Sequence, residues 1–133
     1  MEYKKSYLGL VLWLIGFLAL CFGVLLLPVS GMFMMRMTIN LCTLGMAILA
    51  WIIFLTGAVY WYNGISYEEA RDAGEEKRKQ YALKHLRVFG IFAVCGLLFS
   101  TVMHLMHVSE WVDFTVLTIG LMAAAISTIR FKL

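Results

Sequence analysis

Residues 63–87 read NGISYEEARDAGEEKRKQYALKHLR, the one long polar stretch in the chain. They hold five of the eight acidic residues and six of the eleven lysines and arginines. Two long apolar runs precede the stretch and two follow it. A bilayer core is about 30 Å thick, so a spanning helix needs roughly 20 mostly apolar residues. All four runs reach that length. The chain has 133 residues, 62% apolar and 14% charged, whereas a soluble domain carries about 25% charged residues. A soluble core of this size could not bury four such runs. The composition therefore predicts an all-α, polytopic membrane protein forming a single domain over residues 1–133, with four transmembrane helices arranged as two hairpins.

The spans are expected at about 7–29, 37–62, 88–108 and 111–129. Pro28, Ser30 and Gly31 supply the first stop. Lys4-Lys5 followed by an apolar run has the outline of a secretory signal, but such apolar regions are about 7–15 residues long. The run here is longer, so it reads as a retained first span. Met32–Arg36 is expected as a Met-rich connection. Tyr60-Trp61-Tyr62 marks a membrane surface, because aromatics with a polar edge favour the headgroup level.

Alternate connections differ sharply in basic residues. One side receives ten of the eleven lysines and arginines, and the other receives Arg36 alone. Basic residues concentrate in cytoplasmic loops. Both termini and residues 63–87 are therefore expected to be cytoplasmic, with the protein multi-pass in the membrane. Within the polar stretch, Ser66 and Glu69 have the spacing of a capping box, and Gly74 is expected to interrupt the helix they start. A Glu75–Lys79 pair and a run of helix formers then lead into the third span. Ser66, Glu69, Lys77, Arg78 and Lys79 mark this segment as a surface for interaction.

Gly9, Gly16 and Gly23 recur every seven residues and so return to nearly one face of the first helix. Small residues let membrane helices approach closely. The expected partners are the lipid bilayer together with a second copy of this chain or another membrane protein; nucleic acid is not expected. Thr43-Leu44-Gly45 also echoes Thr118-Ile119-Gly120, 75 residues later, which fits either a parallel repeat of two hairpins, a kind known in transporters, or chance in a chain rich in Leu, Gly and Ala.

Chemistry-bearing groups are few. His104, His107, Glu110 and Asp113 gather around the last turn, and two imidazoles with two carboxylates could hold a divalent metal. The plainer alternative is interfacial histidines beside acids favoured at a helix N-terminus. His85 and His104 are too far apart on one helix to share a haem. The methionines at 32, 34, 35 and 37 suit soft-metal binding or ordinary interface packing. Cys21, Cys42 and Cys95 lack metal-ligand or redox spacing. No catalytic grouping or cofactor motif is present, so a non-enzymatic role is expected.

Tyr62-Asn63-Gly64-Ile65-Ser66-Tyr67-Glu68-Glu69, followed by Leu86 and Gly90 entering a span, resembles small membrane proteins of Gram-positive bacteria related to the sporulation-delay toxin immunity protein. The match covers about a quarter of the chain, and Gly64 and the Asp72-Ala73-Gly74 insertion depart from the pattern. The resemblance implies a bacterial inner-membrane protein of immunity or regulatory type and transfers no catalytic residue. Two functions follow: an accessory, regulatory or immunity-type protein acting by helix–helix association, or a homo-oligomeric small channel or transporter.

Overall fold

The computed structural model describes residues 3–62 and 64–133. Residues 1, 2 and Asn63 lie outside the described residues, so Asn63 in the quoted motif has no structural account. The elements are α1 (Leu8–Leu25), α2 (Gly31–Thr56), a 3-10 turn (Val59–Trp61), α3 (Tyr67–Leu105) and α4 (Glu110–Thr128). Among the described residues there is no strand, and all four helices are long and apolar enough to cross a membrane. At 1.5 Å per residue, α1 and α4 are each about 28 Å long, close to the ~30 Å of a bilayer core.

The second helix departs from the expected 37–62. It begins at Gly31 because Ser30 caps it, its hydroxyl accepting from the Phe33 N–H at 3.2 Å. It ends at Thr56 because Gly57 takes φ +69°, where its N–H still bonds the Ile53 carbonyl at 2.8 Å. A left-handed residue after a helix satisfies a terminal carbonyl and turns the chain away. Met32–Arg36 is thus helix rather than connection, and Tyr60-Trp61-Tyr62 folds back beneath the bundle.

The polar stretch has the expected anatomy. Ser66 Oγ accepts from the Glu69 N–H at 3.1 Å, and Glu69 Oε2 accepts from the Ser66 N–H at 2.8 Å. Gly74, at φ 82° and ψ 167°, breaks the helical path, and Lys79 Nζ meets Glu75 Oε1 at 2.7 Å. From Glu75 to Leu105 the helix is unbroken, about 46 Å at 1.5 Å per residue. It therefore outlasts a bilayer core by several turns.

The helices run up and down, giving the bundle two unlike ends. The basic end carries residues 3–7, the α2–α3 connection and the C-terminus. Its core is Ile53, Ala58, Val59, Tyr60, Ala70, Tyr81 and Ala82. The N-terminal strap is sewn to it: Tyr60 Oη donates to the Ser6 carbonyl at 2.7 Å, Tyr3 Oη donates to the Gly57 carbonyl at 2.8 Å, and Tyr67 Oη bonds the Tyr3 carbonyl. Burial pushes the Tyr3 hydroxyl from 10.0 up to about 12, against the opposite pull of the Arg78 cation. A raised folded-state pKa means stability is intact below pH 10 and is lost as pH climbs from there through about 12. Alkaline titration read by strap-sensitive tryptophan fluorescence is expected to show that loss, and Tyr3→Phe to reduce it, with the hydroxyls of Tyr62 and Tyr81, also pushed up by burial, carrying the remainder. An unchanged profile in the variant would count against Tyr3 as the strap's pH-sensitive anchor.

The packing is uneven. α2, α3 and α4 pack on one another, whereas α1 packs mainly on α2 and buries only Val24. One contact recurs in both hairpins. A Cβ on Gly45 would come within 2.6 Å of the Phe17 ring, and one on Gly120 within 2.6 Å of the Phe92 ring. The two rings are 75 positions apart, as are the two glycines. The Thr-x-Gly echo in the sequence therefore coincides with a ring-on-glycine contact used once in each hairpin.

Candidate functional site

At the end opposite the basic one, three helices meet on a single carboxylate. Asp113 stands in the first turn of α4, where a negative charge suits the helix dipole, and is 0% exposed. Its Oδ2 accepts from Arg36 Nε of α2 at 2.6 Å and from Ser100 Oγ of α3 at 2.6 Å. Arg36 is 5% exposed. Its remaining nitrogens reach Val108, whose carbonyl accepts from Nη2 at 3.0 Å, and His104, whose Nδ1 lies 2.9 Å from Nη1. A guanidinium only donates, so His104 Nδ1 accepts and the ring's proton sits on Nε2. Glu110 Oε1 is 3.7 Å from Nη1, a looser charge contact. Asn40, one turn beyond Arg36, donates to the Arg36 carbonyl at 2.9 Å and to Ser100 Oγ at 2.8 Å.

This geometry revises the reading of the last turn. Of His104, His107, Glu110 and Asp113, three surround Arg36 and one does not. His107 lies past the end of α3 with φ +55° and is exposed, so it does not share a helix face with His104. A cation occupies the centre that a metal would need. Among the described residues, no three His, Cys, Asp or Glu side chains group as a metal-binding set. Asp113 stands at the helix end where an acid was expected, but it is deeply buried there, and Arg36, expected in a connection, is its partner.

Sequence reasoning missed the pairing because Arg36 and Asp113 are 77 positions apart. The available signal was that Arg36 is the sole basic residue on its side, in a chain with only two acids there. Two such charges near apolar spans are costly unless they meet. Within this network, two buried oxygens find no partner among the described residues, Asp113 Oδ1 and Asn40 Oδ1. A cavity of about 260 Å³ opens beside the network between Phe33, Met37, Leu97, Thr101 and His104.

The glycine face of α1 divides. A Cβ on Gly9 would lie 2.8 Å from the Trp61 ring, so that position is filled internally, while Gly16 and Gly23 face nothing within 4 Å. Of the polar-segment residues, Ser66 and Glu69 are occupied in capping, Lys79 pairs with Glu75, and Lys77 projects outward. Arg78 turns inward and is 9% exposed. The three cysteines are free thiols, with Cys21 and Cys42 half-buried and Cys95 exposed. Compared with known proteins, the chain matches no family model, no curated protein and no solved structure.

Proposed function

We propose that this chain is a multi-pass inner-membrane protein of a bacterium, with both termini cytoplasmic, that acts without catalysis by associating with another membrane helix. The association surface is α1. The observation that carries the reading is that α1 packs mainly on α2 and leaves Gly16 and Gly23 facing open space within the chain. Without a hydrophobic drive between helices in lipid, close backbone approach at small residues is what draws them together. The basic end then faces the cytoplasm, consistent with the ten-to-one distribution of Lys and Arg, and the immunity-type or regulatory role fits a protein that binds rather than turns over.

The test is a pair of substitutions that intrude on nothing inside the chain. Gly16→Leu with Gly23→Leu is expected to leave thermal stability in detergent within about 0.5 kcal/mol, as surface changes usually do. In native membranes it should abolish cross-linked homomeric or heteromeric species of the wild-type chain. A wild-type chain recovered alone from cross-linked membranes would sink the association reading.

A second reading, a homo-oligomeric channel or transporter, is favoured by the buried Arg36–Asp113 pair and the unpartnered Asp113 Oδ1. Ionisable groups inside spans mark ion and proton paths by default. Reconstituted liposomes would separate the two: ion or solute flux that Asn40→Ala or Ser100→Ala alters supports transport, and none across a broad panel removes it.

A further inference from the structure

Arg78 is the one residue of the Lys77-Arg78-Lys79 run that the fold draws inside. Its guanidinium lies over the Tyr3 ring at 3.9 Å, and its Nη1 donates to the Ala70 carbonyl at 3.0 Å. Its Nε is buried without a hydrogen-bond partner, close behind Gly57. Among the described residues no carboxylate forms an ion pair with it. A buried cation without a counter-charge is costly, and the cost falls if an anion reaches it.

Space for one is present. A cavity of about 390 Å³ opens in front of Arg78, with Lys4, Lys79 and Ser6 around it. Among the described residues Glu75 is the one acid on its lining, and its carboxylate is engaged by Lys79 at 2.7 Å. The other wall is apolar, made by Gly9, Leu55 and Trp61. These residues stand at the basic ends of α1 and α2, where two spans emerge. An anionic group placed against Arg78 would therefore have cations on its polar side and the flank of two apolar helices beneath it.

We propose that this cavity binds a phosphate group, with Arg78 as its buried anchor and Lys4 at its rim, and that the phosphate is carried by an anionic phospholipid. Guanidinium suits phosphate oxygens because its N–H groups form a planar fork. The apolar wall gives acyl chains a path that free phosphate would not use. The proposal needs a bilayer protein but not the association surface on α1, and it is tested on detergent-solubilised protein where that association plays no part.

The experiment titrates the full chain, in a neutral detergent, with phosphatidylglycerol, with phosphatidylcholine and with inorganic phosphate. Thermal midpoint and lipid retained in native mass spectrometry are the readouts. Phosphatidylglycerol is expected to raise the midpoint saturably and to remain bound, with a weaker response to zwitterionic phosphatidylcholine. Arg78→Gln is expected to abolish the effect. Lys4→Gln, at an exposed rim position with no folding role, is expected to weaken apparent affinity about fivefold, one surface charge's worth. Lys77→Gln, outside the cavity, is expected to change nothing. An equal shift with inorganic phosphate alone would keep the phosphate site and overturn the lipid as its source. No response in the wild type, or identical responses in Lys4→Gln and Lys77→Gln, would overturn the site.

Discussion

Asp113→Ala is expected to destabilise the bundle by about 3–5 kcal/mol, the usual cost of stripping one partner from a buried ion pair. The substitution leaves Arg36 5% exposed with no carboxylate at its Nε, and frees Ser100 Oγ from its acceptor. Arg36→Ala should cost a similar amount by orphaning Asp113, which is fully buried. Asp113→Asn should fall between, because it keeps an acceptor oxygen for Arg36 and Ser100 but removes the charge. The informative variant is the double one. Arg36→Met with Asp113→Leu removes both charges together and should recover most of the loss, since a buried pair replaced by apolar groups of similar size is often neutral. Denaturant titration in detergent, read by helical signal, gives all four values. If Asp113→Ala cost less than about 1 kcal/mol, the pair would be behaving as an exposed one, and the three-helix junction would not exist as described.

The second large effect is expected at the repeated ring-on-glycine contacts. Gly120→Val would drive a Cβ to 2.6 Å from Phe92 Cε2 and add two further methyl groups between α3 and α4. Overpacking of this kind costs about 1–3 kcal/mol and occasionally more. Gly45→Val should do the same between α1 and α2, where Phe17 is held by stacking on Trp13 at 5.3 Å between centroids. Because α1 packs mainly on α2, Gly45→Val should loosen the first helix specifically, raising hydrogen exchange across Leu8–Leu25. Phe17→Ala should rescue Gly45→Val, and Phe92→Ala should rescue Gly120→Val, each through a favourable coupling in a double-mutant cycle. Simple additivity in both cycles would show that the glycines are not there to admit the rings.

Much of the fold could be read from local signals. The capping box at Ser66 and Glu69, the break at Gly74 and the Glu75–Lys79 pair all sit within one stretch of sequence, and their chemistry acts over three or four residues. The boundaries of α2 were harder. Ser30 was legible as a stop signal for the preceding run, but its hydroxyl serves as the N-cap of the next helix. Gly57 was one of many glycines in apolar sequence, and nothing local distinguished a left-handed terminator from an interior glycine such as Gly45. Both lie among leucines and isoleucines; only the path of the chain separates them.

The site divides along the same line. His104, Glu110 and Asp113 were visible as a cluster because they fall within ten residues, and their mutual proximity follows from a tight turn. What occupies the space between them was not visible. Arg36 comes from another helix, and its role depends on where α2 begins and which face it turns to α4. Arg78 shows the converse: sequence placed it with Lys77 and Lys79 on a surface for interaction, and helical phase turned it alone against Tyr3.

By itself, then, the sequence determined four apolar helices, a charge asymmetry between the ends and a capped, broken polar segment, because length, composition and near-neighbour hydrogen bonds are properties of a stretch. Tertiary structure alone decided that Arg36 meets Asp113, that Phe17 and Phe92 seat on Gly45 and Gly120, and that Arg78 lies buried beneath the N-terminal strap. Each of those is a contact between distant segments, fixed by helix phase and by the order in which helices pack, and no local pattern encodes it.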